Sequence, residues 1–75
     1  MSGKIVNKFM ELKERREKRL GSKLTLEKIS IDTGIAYTTI MRWAKDQVVR
    51  YDDKILVALC EYFEVNLSEL IDYEK

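Results

Sequence analysis

Four side chains near the middle of the sequence are spaced so that a helix would present them on one face. They are Tyr37, Thr38, Met41 and Arg42, and side chains four residues apart lie above one another on a helix. A guanidinium can pair with guanine O6 and N7, a hydroxyl can donate or accept a hydrogen bond, and methionine offers an apolar contact to a base. We therefore predict that these four side chains contact base edges in the major groove of DNA.

The helix that would carry these side chains follows another helix across a turn. The segment 25–46 reads TLEKISIDTGIAYTTIMRWAKD. It begins with Thr25, a suitable N-cap, and contains Gly34, which tolerates the left-handed backbone of a turn. The second helix, over about 36–45, has Trp43 on the side opposite the four candidate base readers, where we expect a core side chain. This layout predicts a helix-turn-helix.

The spacing of apolar residues predicts three further helices and no strands. The first helix runs over about 4–20, and the last two run over about 52–63 and 66–73. The buried stripe expected on the first helix consists of Ile5, Phe9, Leu12 and Arg16. We predict an all-α fold, a compact five-helix domain that occupies residues 1–75.

The composition excludes several classes of protein. The chain has one cysteine and no histidine, so we expect neither a disulfide framework nor a zinc site. It has no long apolar run and no signal-like N-terminus, so we expect a cytoplasmic protein without membrane contact. The residues offer no arrangement for catalysis, and we predict that the protein is not an enzyme and uses no cofactor, metal or small-molecule ligand.

The charges are distributed unevenly along the chain. Residues 1–50 contain twelve Lys and Arg against six Asp and Glu, whereas residues 51–75 contain two against seven. One interpretation is a basic face for a polyanion and an acidic face turned away from it. The other is an ordinary solvated surface. The cations within 13–19 form either a phosphate-binding row or salt bridges with the glutamates between them.

Two segments carry a resemblance to a known family. The first is LTLEKISIDTGIAYTTIMRW, and the second, after a loop, is DDKILVALCEYFEVNLSELI. Together they resemble the lambda-repressor-like helix-turn-helix family, also called the Cro/repressor or xenobiotic-response-element family, over about Ile5 to Ile71. The resemblance implies the five-helix fold and a sequence-specific transcriptional regulator, most simply a repressor. Its partner would be a double-stranded DNA operator in the nucleoid.

The resemblance also implies contacts for individual residues. Tyr37, Thr38 and Arg42 resemble base-reading positions of the family, in agreement with the prediction from their spacing. The side chains that we predict to contact phosphates are Thr39, Lys45, Arg50, Arg16 and Lys23.

The chain departs from the family pattern at three positions. Leu26 stands where a glutamine usually clamps a phosphate, so we expect that contact to be lost. Ala44 and Asp46 stand where the family usually has glutamate and glycine at the end of the recognition helix. Because that glutamate often pairs with an arginine that aligns with Arg16, we expect Arg16 to be free to reach a phosphate.

One domain of this kind contacts only a few base pairs, so we expect a homodimer on two half-sites about one helical turn apart. The fourth helix is one candidate for the dimer contact. The other candidates are Leu67, Leu70, Ile71 and Tyr73. If this interface is correct, Leu70→Asp weakens DNA binding without touching the DNA face.

Two alternative functions remain open at the level of sequence. The first is a protein-interaction module of the same fold, antitoxin-like or anti-repressor, which the loss of the phosphate clamp favours. The second is nonspecific binding to the nucleoid. Salt dependence separates these functions, because binding through phosphates weakens steeply as salt rises, whereas a hydrophobic protein contact does not.

Overall fold

The computed structural model describes residues 3–74, which form five helices and one two-stranded sheet. In chain order, the elements are β1 (Lys4–Asn7), α1 (Phe9–Leu20), α2 (Leu26–Thr33), α3 (Tyr37–Ala44), α4 (Asp53–Phe63), α5 (Leu67–Leu70) and β2 (Ile71–Glu74). The five helices confirm the predicted helical architecture, but the sheet was not predicted. No helix in the described part of the chain is long and apolar enough to cross a membrane.

The core centres on aromatic side chains from three helices. Its fully buried members include Phe9, Ile29, Ile40, Trp43, Leu59 and Leu70. The ring centroid of Phe9 lies 6.5 Å from that of Trp43 and 5.7 Å from that of Phe63, the latter in an edge-to-face arrangement. This aromatic group joins α3 to α1 and α4. Trp43 is therefore a core side chain, as predicted.

The first helix begins later than predicted, at Phe9 rather than near residue 4. The Phe9 N–H donates to Asn7 Oδ1 (3.1 Å). The Lys8 N–H donates to the Leu70 carbonyl oxygen (2.7 Å). These acceptors satisfy the N–H groups of the N-cap residue Lys8 and of the first helical residue Phe9, so α1 starts here and the chain enters it from a strand. Ile5, which was predicted to lie in the buried helical stripe, is a strand residue and is 40% exposed.

The last helix ends earlier than predicted, because Leu67–Leu70 forms a single turn. This turn is held at its start by a hydrogen bond from the Asn66 N–H to Glu69 Oε1 (3.1 Å). The chain then continues as β2, antiparallel to β1, with Ile5 opposite Tyr73. Each strand obtains its hydrogen-bonding partner from the other end of the chain. No local spacing reveals such a pairing, which is why the sequence pattern predicted helix at both ends.

Leu70 is not a dimer contact, because its side chain is fully buried. It belongs to the core of this chain, and its carbonyl oxygen accepts the hydrogen bond from Lys8. The prediction that Leu70 lies in a dimer interface is therefore wrong. Leu70→Asp would place a carboxylate in the apolar core of the chain itself. Leu67, Ile71 and Tyr73, the other three candidates, are each partly or largely exposed.

We expect Leu70→Ala to lower the free energy of unfolding by about 3 kcal/mol, because it leaves a cavity in the core. Leu67→Ala is the matched control, since Leu67 is 49% exposed in the same turn of helix. It is expected to cost about 1 kcal/mol or less. Urea denaturation of the two variants measures both values. Equal losses would contradict the burial of Leu70.

A glutamate of α1 ties that helix to the start of α2. Glu17 Oε2 accepts hydrogen bonds from the Leu24 N–H (2.8 Å) and from Lys13 Nζ (3.1 Å). The Leu24 hydrogen bond, followed by the one from Lys13, lowers the pKa of the Glu17 carboxyl from its ordinary value of 4.5. A carboxylate with a lowered pKa stabilises the folded state above that ordinary value. Its contribution is lost as the pH falls through the folded-state pKa.

We therefore expect that the free energy of unfolding of Glu17→Gln falls less steeply than that of the wild-type protein as the pH is lowered. Urea unfolding at intervals from about pH 7 down to about pH 3 measures the slope. The wild-type protein loses the Glu17 contribution over the lower part of this range, below about pH 4.5, whereas the variant has none to lose. Glu14→Gln removes the same charge from the exposed side of α1 and is the matched control. Identical acid slopes for the two variants would contradict the expectation.

Candidate nucleic-acid interface

Helices α2 and α3 are joined by a turn whose geometry follows from local hydrogen bonds. Thr25 caps α2, its hydroxyl oxygen accepting from the Lys28 N–H (3.1 Å). Gly34 ends α2 with φ of 76°, in the left-handed region that glycine adopts without strain. The Ser30 hydroxyl donates to the Ile35 carbonyl oxygen (2.6 Å) across the turn. Ser30 therefore fixes the turn by a hydrogen bond.

Helix α3 has an apolar inner face and a polar outer face. Ile40 and Trp43 are buried on the inner face. The four residues predicted to contact bases lie on the outer side of the same two turns. Tyr37, Thr38 and Arg42 are exposed, and Met41 is half-buried. Ala36 precedes α3 without a side-chain cap. Because the Thr39 N–H donates to the Ala36 carbonyl oxygen (3.0 Å), the N–H groups of Tyr37 and Thr38 are the ones left to bind an acceptor from outside the helix.

A groove of about 500 Å³ separates α3 from the loop that follows it. Its lining includes Thr39 and Arg42 from α3, and Gln47, Val49 and Arg50 from the loop. The structure thus brings together one predicted base reader, Arg42, and two predicted phosphate contacts, Thr39 and Arg50. A polyanion that follows this groove would meet a guanidinium on each side.

The two arginines of the groove are not neutralised by neighbouring carboxylates. The ion pairs within residues 3–74 are Lys8–Asp72, Lys13–Glu17 and Lys28–Asp32. Asp52, which also lines the groove, is engaged as the cap of α4 and accepts from the Lys54 N–H (2.9 Å). Arg42 and Arg50 therefore have no ion-pair partner in the described part of the chain, which leaves their charge for an external anion.

The remaining predicted phosphate contacts lie in separate places. Lys45 is exposed at the C-terminal end of α3, beside the groove. Lys23 is exposed ahead of α2, near Glu17, and does not line the groove. Neither of these two cations lines the groove with Arg42 and Arg50.

Arg16 is not free to reach a phosphate, contrary to the expectation from Ala44. Its Nη1 donates to the Tyr62 carbonyl oxygen (2.6 Å), and its guanidinium lies 5.0 Å from the centroid of the Tyr62 ring. The Tyr62 hydroxyl donates in turn to Asp32 Oδ2 (3.0 Å). Burial, followed by the hydrogen bond to Asp32, raises the pKa of Tyr62. In place of the missing glutamate, the end of α4 holds Arg16.

Two residues of the groove were missed in the sequence. Gln47 and Val49 lie in the loop after α3, and Val49 is 88% exposed. The helical spacing of apolar residues ends at this point, and only the charge of Arg50 indicated an interface in the loop.

Comparison with known families agrees with this geometry. The family of Cro/C1-type HTH DNA-binding domains matches residues 7–75, which include both helices of the pair, the turn and the groove. No curated protein and no solved structure matches the chain significantly. The family match covers more than half of the chain and extends from the end of β1 through β2. The chain therefore belongs to the family of Cro/C1-type helix-turn-helix DNA-binding domains.

Proposed function

We propose that this protein is a sequence-specific regulator of transcription, most simply a repressor that binds double-stranded DNA and occludes a promoter. The observation that carries the proposal is the two-sided character of α3. Ile40 and Trp43 hold the helix in the core, while Tyr37, Thr38 and Arg42 are exposed on its other side. Membership of a DNA-binding family supports the same conclusion.

In this proposal, specificity comes from the outer face of α3 in the major groove. Arg42 pairs with O6 and N7 of a guanine, the contact for which its planar fork is best suited. Tyr37 and Thr38 exchange hydrogen bonds with base edges near the start of the helix. Met41, between them and Arg42, supplies an apolar contact.

Affinity comes from contacts to the DNA backbone. Arg50 and Thr39 line the groove beside α3. Lys45 is exposed at the end of α3, and Lys23 is exposed ahead of α2. Each cation that neutralises a phosphate releases a counterion, so binding weakens as salt rises. Thr39 adds a hydrogen bond without a charge and does not contribute to this dependence on salt.

The terminal sheet is the surface that we propose for a second copy of the chain. Ile5 and Tyr73 are cross-strand neighbours and are 40% and 58% exposed, so they form an apolar pair at the end of the sheet. The charged residues around them are Lys4, Lys8, Asp72 and Glu74. Because the two signs balance, with the anions on β2 and the cations on or directly after β1, two identical sheets can meet about a two-fold axis without net repulsion.

The outer face of α4 and α5 fits a second copy less well. Val57 and Leu67 are exposed there, but the acidic residues Asp53 and Glu61 line the same depression. Two such faces would bring like charges together, which opposes a two-fold contact. This face fits a cationic protein partner instead, and it supports the protein-interaction module as the second candidate function. Leu26, which packs on the core where the family has its phosphate clamp, supports it too.

Selection from a random pool of duplex DNA tests the proposed function. We expect the purified protein to enrich a two-fold symmetric motif. With Arg42→Ala, preference is expected to be lost at one position of each half-site, with affinity for the selected duplex falling about tenfold or more. Lys54→Ala, which removes an exposed cation from α4, is the matched control and leaves the motif unchanged.

Titration of the selected DNA at several salt concentrations separates the other functions. Binding that weakens steeply with salt but enriches no motif would replace the proposal by nonspecific binding. No binding to any duplex, by a protein that remains folded and helical, would replace it by the protein-interaction module.

The sheet contact is tested by Tyr73→Asp, which places a charge in the proposed dimer interface. We expect sedimentation equilibrium to shift toward monomer and the affinity for a two-half-site duplex to fall about tenfold or more. Affinity for a single half-site should stay unchanged. Leu67→Asp, at a comparably exposed position on α5, is the matched control. If Leu67→Asp dissociates the dimer and Tyr73→Asp does not, the dimer interface lies on α4 and α5.

A further inference from the structure

The residue that leads the chain out of α3 has an unusual backbone conformation for its type. Asp46 has φ of 57°, in the left-handed region that residues with a Cβ seldom adopt. Its N–H donates to the Trp43 carbonyl oxygen (3.2 Å), and the next N–H, of Gln47, donates to the Arg42 carbonyl oxygen (2.8 Å). These bonds close the last turn of α3 and set the direction in which the loop leaves it.

The side chain of Asp46 is held by a residue from the opposite end of the chain. Asp46 Oδ1 accepts a hydrogen bond from Asn7 Nδ2 (3.1 Å). The other end of the Asn7 amide is engaged as well, because its Oδ1 accepts from the Phe9 N–H (3.1 Å). One amide group therefore joins the start of α1 to the end of α3.

Asn7 is itself fixed by the terminal sheet. It is the last residue of β1 and pairs with Ile71 of β2. The following residue, Lys8, donates its N–H to the Leu70 carbonyl oxygen. The sheet therefore restrains the position of Asn7. The Asn7 amide in turn fixes the position of Asp46 relative to the core.

We propose that Asn7 and Asp46 are positioning residues for the DNA-contacting loop, an inference that rests on the proposed function. By holding the residue at which the loop begins, the pair sets the position of Arg50 opposite Arg42 in the groove. Neither Asn7 nor Asp46 lines the groove. The effect of their hydrogen bond on DNA binding therefore acts through Arg50.

The electrostatics of Asp46 determine how the inference must be tested. A carboxylate close to a phosphate-binding face weakens DNA binding by repulsion, so its removal alone raises affinity. Asp46→Asn and Asp46→Gly remove the same charge, and both replacements tolerate a left-handed backbone. Only asparagine retains an oxygen that accepts from Asn7. Because glycine also frees the backbone, the same comparison is repeated in an Asn7→Ala background, where the hydrogen bond is absent from both variants. The difference between the two comparisons isolates the hydrogen bond.

The experiment measures affinity for the selected duplex at a temperature at which both variants are fully folded. We expect Asp46→Gly to bind about threefold more weakly than Asp46→Asn, the size of one modest hydrogen bond. In an Arg50→Ala background, the two variants are expected to bind equally, since the loop cation is then absent. A merely structural role would lower stability but would not make the difference in affinity depend on Arg50.

Hydrogen exchange of the Gln47 amide supplies a readout that needs no DNA. The amide is expected to exchange faster in Asp46→Gly than in Asp46→Asn, because the hydrogen bond to Arg42 opens more often. Equal affinities and equal exchange in the two variants would overturn the inference. If the wild-type protein binds no specific duplex, the proposed function fails. The exchange comparison then decides by itself whether Asn7 and Asp46 hold the loop.

Discussion

The position of the outer face of α3, which we propose contacts DNA, depends on the burial of Trp43. Helix α3 has only eight residues and starts without a side-chain cap, so it is too short to be stable in isolation. The Trp43 ring packs edge-to-face against Tyr51, with 5.7 Å between centroids, and lies beside Phe9 in the core. Because side chains leave a helix at fixed angles, an inward Trp43 directs Thr38 and Arg42 outward. Burial of one indole thus orients the whole outer face of α3.

Single polar contacts from α1 and its entrance hold the other elements around this centre. They are Asn7 with Asp46, Arg16 with Tyr62, and Glu17 with Leu24. Each contact reaches a different element: the end of α3, the end of α4 and the approach to α2. A small domain has a small core, so the relative orientation of its helices depends strongly on such contacts. α1 therefore helps to fix the orientation of α2 and α3, although it carries no predicted base contact.

The distribution of charge also follows from this arrangement. Lys13, one of the cations considered as a phosphate-binding row, is paired with Glu17 at 3.1 Å, and Arg16 is held by α4. Within residues 3–74, the arginines of the groove, Arg42 and Arg50, have no such partner. Cations without an ion pair within residues 3–74 therefore lie both beside α3 and on α1, where Arg15, Lys18 and Arg19 are exposed. The acidic residues Asp53 and Glu61 of α4 lie in a separate depression.

The sequence by itself determined the features that arise from neighbouring residues: the Thr25 cap, the Gly34 turn, the two faces of α3 and the burial of Trp43. Helical periodicity and capping are local, so they are readable from one chain. Only the tertiary structure decided the features that join residues far apart. These are the terminal sheet, the burial of Leu70, the capture of Arg16 by Tyr62 and the hydrogen bond from Asn7 to Asp46. The physical reason is that a strand or a polar side chain takes whichever partner the packed helices bring within reach, and that partner has no fixed spacing along the chain.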